Sequence, residues 1–557
     1  MSPIKFPKEK TQERKLGIVR VKEEEEAAKK SAKLLGFPYI NLTFKPIDRE
    51  ALEIVPEHEA KEAGLAVISK KGQSLAVAVA DPQDPDTKKI IENLKDRFEN
   101  VSMAMASPHS LKKAWSGYKQ TALGKEKISG EVDISPRELE RFRKEIRSIE
   151  DLGEAIGKIS SQKNASLIAE LLLASALALD ASDVHIEPQE KDIRLRLRID
   201  GLMRDASTLD AHIYKLLLSR IKLLSEMKLN IKNAAQDGRF SVSFGKFEIQ
   251  IRSSVLPGAY GENIVLRVLD PASLLSMEQL GIREDLLKIV EKQIKKPNGM
   301  ILTTGPTGSG KTTTLYAFLK KLKTPEVKII TVEDPIEYHL EGISQTQVSA
   351  EHGYTFASGL RSILRQDPDI ILIGEIRDLE TADTALQASL TGHLLLSTLH
   401  TNDVAGVVPR LVDLGASSSV IGPAMNMAIA QRLVRRTCEK CKRLEAASAE
   451  ELSLLKAELA NLPSSLRLPK EIAQGLKLPR TKGCDTCHSS GYKGRVGVYE
   501  ILVNDAEFEK FILENPPITK VRQYTKEKGM ITMKQDGFLR VLEGITTIEE
   551  VERVTGE

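Results

Sequence analysis

Hydrophobic and polar positions are distributed along this chain in three distinct patterns. Short apolar runs closed by turn residues predict buried strands. These are Leu75–Ala80, ended by Asp81-Pro82, then Met300–Thr304, Lys328–Val332, Asp369–Glu375 and Gly392–His400. Strict alternation over Ile193–Gly201 predicts a strand with Arg194, Arg196 and Arg198 on one face and aliphatics on the other. Helical spacing of Leu315, Phe318, Leu319 and Leu322 predicts a helix over Thr313–Leu322. Ala165–Leu179 reads as an apolar helix, and the stretch from Asn504 to the end as helical, with a capping-box pattern at Thr547-Ile548-Glu549-Glu550. Ser31–Leu35 closes an early helix, Gly36-Phe37-Pro38 breaks it, and Tyr39–Leu42 begins extended structure.

These patterns divide the chain. Residues 1–24 read as a loose charged tail, and 25–120 as a small α/β interaction domain. Residues 121–160 read as a linker, polar to Pro136 and then strongly charged with weak helical periodicity. A strand-rich, arginine-bearing middle domain is expected over 161–270. Alternating strands and helices over 285–435 predict an open parallel sheet. A cysteine-bearing segment covers 436–500 and a helical region 501–557.

The chain has 557 residues, 41% hydrophobic and 29% charged, enough for several cores. A net charge of +3 gives no electrostatic footprint for nucleic acid, and 4% aromatics offer few stacking platforms. The longest apolar stretch, Ser166–Leu179, is broken by Glu170 and too short to span a bilayer. The charged N-terminus lacks a signal-peptide core. A cytoplasmic protein is expected, attached to any membrane through a partner.

Gly305-Pro306-Thr307-Gly308-Ser309-Gly310-Lys311-Thr312, followed by Thr313, fits the phosphate-binding loop pattern, between a predicted strand and a predicted helix. Glycines let backbone N–H groups curl around phosphate oxygens, and the helix N-terminus adds its positive dipole end. Lys311 is expected against the β- and γ-phosphates of ATP, and the Thr312 hydroxyl on Mg²⁺.

Ligands of open parallel sheets sit at the carboxyl ends of strands. Glu333–Glu337, Glu375 and His400 fall at such ends. Glu337 and Glu375 are the candidates to orient or deprotonate water, the alternative being exposed loop carboxylates. Gly374 stands where many nucleoside triphosphatases have Asp, so the metal is expected on Thr312 and water. His393 and His400 are seven apart and would face opposite sides of one strand. His400, at the exit end, is the candidate. Arg239, Arg252 and Arg267 in the middle domain could neutralise phosphate or form surface ion pairs; spacing does not choose between these.

The four cysteines form two pairs, Cys438/Cys441 and Cys484/Cys487, each with Cys-x-x-Cys spacing. That spacing points to a structural, tetrahedral Zn²⁺ site, with disulfides and a redox pair as alternatives. Four thiolates leave no position for water, so the metal would be a staple.

Together these motifs resemble the secretion ATPase superfamily of type II secretion and type IV pilus assembly, from about Leu34 to the C-terminus. The likeness rests on Gly36–Leu42, Asp183–Pro188, Gln236-Asp237-Gly238-Arg239, the glycine loop, Glu333–Glu337, Asp367–Asp378, Gly392–His400 and the four cysteines. It implies an α/β multidomain protein with a RecA-like P-loop ATPase domain, a preceding α+β (PAS-like) domain, an N-terminal α/β module and a tetracysteine zinc insertion. It implies a cytoplasmic homo-hexamer that assembles a pilus or secretion pseudopilus through an inner-membrane platform protein. It further implies phosphate-contacting roles for Arg239, Arg252 and Arg267, and matches Glu337 to the family's catalytic glutamate and Glu375 to its Walker B glutamate, both catalytic candidates. Two departures, Ala234-Ala235 for Leu-Pro and Gly258 for a polar residue, put loop geometry in question. The alternatives are a DNA-uptake motor and a nucleotide-gated scaffold without turnover.

Overall fold

The computed structural model describes residues 23–42, 48–52, 54–122, 131–160, 165–244, 248–271, 274–463, 466, 468 and 471–556. The tail expected over 1–24 lies almost wholly outside them. The chain forms two compact units, 1–129 and 130–557.

In the first unit, β1 (Leu65–Lys71), β2 (Ser74–Val79) and β3 (Asn100–Met105) form a sheet in that order. β1 and β2 are antiparallel, β2 and β3 parallel. The parallel step needs a crossover, supplied by the helix Pro85–Arg97. Pro85 opens that helix and the Asp84 side chain accepts from Thr87 N at 2.9 Å, satisfying an otherwise orphaned amide. The Tyr118 hydroxyl is buried and donates toward Leu52 O and Val55 O.

The second unit holds two large sheets. Its middle layer uses β4 (Glu131–Asp133), β5 (Ala181–Pro188), β6 (Ile193–Ile199), β7 (Leu202–Leu209), β8 (Gln236–Ser243), β9 (Glu248–Gly258) and β10 (Gly261–Leu269). Their order is β4-β8-β9-β10-β5-β6-β7. Alternation in β6 becomes alternate burial, with Ile193, Leu195, Leu197 and Ile199 inward. The helix Ala165–Ala178 is apolar all round because it is enclosed on most sides.

Residues 131–160, expected as part of a linker, belong to this layer. They supply β4 and the helices Pro136–Glu145 and Ile149–Ser160. Ser135 and Glu138 make a reciprocal capping box. Leu139, Phe142, Ile146, Leu152 and Ile156 are buried in the core beneath the sheet. The surrounding charges are the solvent faces of these helices and mask the apolar stripe.

The other sheet uses β11 (Gly299–Thr304), β12 (Ile329–Glu333), β13 (Ser344–Gln347), β14 (Ile370–Ile373), β15 (Leu394–Leu399) and β16 (Met425–Thr437). After β16 the chain leaves to form a small hairpin, β17 (Lys442–Ala446) with β18 (Lys477–Thr481). It returns as β19 (Tyr492–Val503). The order is β13-β12-β14-β15-β11-β16-β19. The first six strands are parallel and β19 runs antiparallel along β16. Most of the central strands are buried on both faces, hence their continuous apolar runs. β16 and β19 cross the positions 435 and 500 at which sequence patterning divides the chain, so the cysteine segment is an insertion between paired strands.

The C-terminal helices are tied to this sheet. Asp536 is fully buried, pairs with Arg283 and accepts from Tyr499 N at 2.8 Å. Thr547 caps the last helix, but Glu550 does not return the capping-box bond. Its carboxylate instead accepts from Arg435 N and is paired with the Arg435 and Arg553 guanidiniums. Among the described residues no helix is long and apolar enough to cross a membrane.

Candidate active site

The glycine loop joins β11 to the helix Lys311–Leu322 near the middle of the parallel sheet. Gly305, Gly308 and Gly310 have φ of 145°, 79° and 89°, a region side chains disfavour. The chain also needs the room. A Cβ at Gly305 would lie 2.7 Å from Gln431 O, and one at Gly310 would lie 2.7 Å from Gln431 Nε2. Loop and helix amides thus line a cup that a polyphosphate fits. Lys311 Nζ donates to Gly305 O at 2.7 Å and Pro306 O at 3.2 Å, and burial lowers its pKa.

Two candidate carboxylates stand at strand ends around this cup. Glu375 follows β14 and is largely buried; it is paired with Arg377 and with His400 Nε2 at 3.2 Å. His400 therefore points to Glu375, whereas His393 Nδ1 bonds Ala388 O at 3.0 Å, a structural contact. A Cβ at Gly374 would lie 3.3 Å from Phe356 and 3.4 Å from Glu333 Cα, so an Asp there would be tight and would need the Phe356 ring to give by a few tenths of an ångström. Glu333 is sequestered by Tyr316, Thr331 and Gln345. Glu337, further along the same segment, is the partly exposed carboxylate.

The middle-domain arginines form a row. Register places Arg239 opposite Arg252, Arg252 opposite Arg267, and Arg267 opposite Asp183. Directly opposed residues project from one face of a sheet. Arg252 Nη1 lies 2.9 Å from Glu337 Oε2, and Nη2 donates to Ile336 O. Arg267 Nε lies 2.9 Å from the buried Asp183 carboxylate. Arg239 is exposed. Of the alternating arginines on β6, Arg194 pairs with Asp205, Arg196 with Glu187 and Asp205, and Arg198 with Asp183.

Sequence reasoning missed Gln431 and Arg432 on β16. Gln431 is buried, and its Oε1 accepts from Thr314 Oγ1 at 2.7 Å behind the loop. Arg432 Nη2 donates to Asn402 O at 2.9 Å, and Nη1 lies 3.0 Å from the Cβ position of Gly305. Burial lowers the Arg432 pKa, with Glu500 and Asp403 opposing. Two polar residues inside an apolar strand were the available signal.

A cleft of about 410 Å³ opens beside Gly310 and Thr313, within the size range of small-ligand sites. Asp200 and Arg204 of the middle layer line one side, and Tyr492 and Lys493 of the segment after the cysteines another. Next to it the four thiols form a single cluster. Sγ separations are 3.8 Å for Cys438–Cys484, 3.8 Å for Cys441–Cys487 and 3.7 Å for Cys484–Cys487. All four lie within 4.8 Å of one another and none is disulfide-bonded.

A phosphate cup in the middle of a parallel sheet, with acidic groups beyond the ends of other strands of that sheet, is the construction of the RecA-like P-loop ATPases. Residues 160–553 match the family model described as Type II/IV secretion system protein, and residues 35–125 match the MshEN domain. The chain belongs to the type II/IV secretion system protein family and is a P-loop ATPase. It is 46% identical over 387 residues to a type II secretion system protein E of Pseudomonas aeruginosa, covering 69% of this chain and 74% of that one. It is 35% identical over 526 residues to the type IV pilus assembly ATPase PilB of Myxococcus xanthus, covering 93% and 89%. The ATPase DotB of Legionella pneumophila shares the fold, with a TM-score of 0.50 at 21% identity over 70% of this chain and 95% of that one.

Proposed function

We propose that this chain is the ATP-driven motor of a type IV pilus or type II secretion assembly machine. It would work as a cytoplasmic homo-hexamer against an inner-membrane platform protein. The carrying observation is the meeting of two layers at one site: the glycine loop and Glu337 on the nucleotide sheet, and Arg252 on the middle sheet. The names of the relatives supply the cargo class.

The residues divide the work as follows. Loop amides from Gly305 to Thr313 hold the phosphates. Lys311 exchanges its two carbonyl partners for β- and γ-phosphate oxygens, a charge-assisted gain. Mg²⁺, when bound, screens phosphate charge, and the Thr312 hydroxyl is the residue to hold it. Glu375, oriented by His400 and Arg377, positions and deprotonates the attacking water. Glu337 holds Arg252 until γ-phosphate charge competes for the guanidinium. Arg239 and Arg267 flank it in the same row, the former free of a carboxylate partner among the described contacts. Charge developing on the phosphoryl group is then stabilised from the middle layer, which couples turnover to movement between the layers.

The four cysteines fit Zn²⁺. A bond of about 2.3 Å gives tetrahedron edges of about 3.8 Å, and the sulfurs stand 3.7–3.8 Å apart along three edges. A disulfide needs about 2.05 Å. The zinc would stabilise the fold without taking part in hydrolysis.

Steady-state phosphate release tests the motor reading. Lys311→Ala is expected to abolish it with the fold intact by circular dichroism. Wild-type protein that binds ATP but releases no phosphate would leave a scaffold in place of a motor.

A further inference from the structure

The segment that follows the second cysteine pair is shaped by the cysteines and forms part of the cleft beside the glycine loop. Cys487 Sγ accepts from Gly491 N at 3.2 Å, and Cys438 N donates to Gly491 O at 2.9 Å. Ser490 Oγ bridges Cys487 O and Tyr492 O at 2.5 and 2.7 Å. His488 and Ser489 take left-handed φ of 48° and 57°, which non-glycine residues adopt at a cost and only when held. The same short segment therefore depends on the sulfur cluster at its start for its conformation.

Its far end is clasped by the middle layer. Gly494 N donates to Asp200 Oδ2 at 3.1 Å, from the turn between β6 and β7. Asp200 is itself left-handed, with φ of 49°. Between these two anchors, Tyr492 lies under the Arg435 guanidinium at 4.0 Å, and its hydroxyl meets Thr547 Oγ1 at 2.9 Å. His488, Tyr492, Lys493 and Gly494 line the cleft that Gly310 and Thr313 also line. The space therefore adjoins the loop, and its volume of about 410 Å³ is enough to receive the nucleoside of a nucleotide whose phosphates sit there.

We propose that the four-cysteine cluster is a positioning element for the nucleotide: metal bound by the thiols fixes the wall 488–494 and so raises the affinity of the site for ATP. The inference rests on the ATPase reading. It goes beyond a staple, because a staple confined to its own hairpin would leave nucleotide affinity unchanged. By thermodynamic reciprocity, nucleotide must tighten metal binding by the same factor.

The test uses the full chain and mant-ATP, in the absence of turnover. Zinc-loaded protein is expected to bind mant-ATP about tenfold more tightly than protein stripped by chelator. Zinc add-back restores the affinity. Should the stripped chain unfold, the reciprocal measurement is made on loaded protein. Equilibrium competition for zinc with a chromophoric chelator is expected to shift by the same factor when ATP is added. Asp200→Ala, which removes no thiol, is expected to weaken mant-ATP binding with zinc content unchanged. Equal mant-ATP affinities with and without zinc, or zinc competition indifferent to ATP, overturn the proposal and leave the ATPase reading standing. Failure of zinc-loaded wild type to bind mant-ATP at all removes both.

Discussion

Arg252 and Glu337 face each other across two sheets, with Nη1 2.9 Å from Oε2 and both side chains about a quarter exposed. Partial solvation makes such a pair easy to exchange; pairs of this kind are worth about 1 kcal/mol or less. A double-mutant cycle on unfolding free energy with Arg252→Ala and Glu337→Gln is expected to return a coupling of that size. Arg252→Ala is expected to lower turnover about a hundredfold or more, because an arginine on developing phosphoryl charge contributes on the order of 10³ or more, whereas Glu337→Gln, which releases that arginine, is expected to cost less. A coupling of several kcal/mol with normal turnover would make the pair a structural lock.

Glu375 and His400 predict a graded pair of defects. Glu375→Gln keeps shape and hydrogen bonding but loses the base, so mant-ATP affinity stays near wild type while phosphate release falls about 10²- to 10⁴-fold. His400→Ala leaves the base but frees its orientation, with a loss of up to about a hundredfold. A larger defect in His400→Ala than in Glu375→Gln would reverse the assigned roles.

Gly374→Asp tests the departure from the usual acidic residue. The added Cβ meets Phe356 and Glu333 Cα at 3.3 and 3.4 Å. Overpacking of this sort costs about 1–3 kcal/mol. The thermal midpoint is expected to fall and turnover not to rise. A stable, faster variant would show that the site accommodates a direct metal ligand here.

Glu500 predicts a pH dependence of stability. Burial is the main cause that lifts its carboxyl from the ordinary 4.5 to about 7, with Asp403 adding and the Val404 and Met533 amides opposing. The native state holds this proton where the unfolded state has lost it. Stability contributed here is therefore present below about pH 4.5 and declines as pH rises to about 7, by roughly 3 kcal/mol. Denaturant titrations at pH 5 and pH 8 measure it against Glu500→Gln, which is expected to lose that decline. An unchanged wild-type slope in the variant would assign the dependence elsewhere.

The glycine loop, the strand ends and the two cysteine pairs were legible because each is a local pattern with a chemical reason for its spacing. Strand parity set His393 and His400 on opposite faces, and the position of His400 at the exit end of the strand made it the candidate. The placement of Gln431 and Arg432 was not, since a polar residue inside an apolar run gives no sign of what it faces. Residues 131–160 hid a core stripe under charge, where Phe142 and Ile146 are outnumbered by lysine, arginine and glutamate. The pairing of β16 with β19 depends on two segments separated by the whole cysteine insertion, and no window of sequence contains both. Arg252 and Glu337 met through the same kind of distant closure.

The insertion between β16 and β19 has a mechanical corollary. A pull on the hairpin of β17 and β18 is delivered to neighbouring strands running in opposite senses, and the first of them carries Gln431 behind the glycine loop. Load applied at that outlying knob is thus passed through the cysteine loops into β16 and, by the Gln431–Thr314 side-chain bond, to the helix behind the phosphate cup.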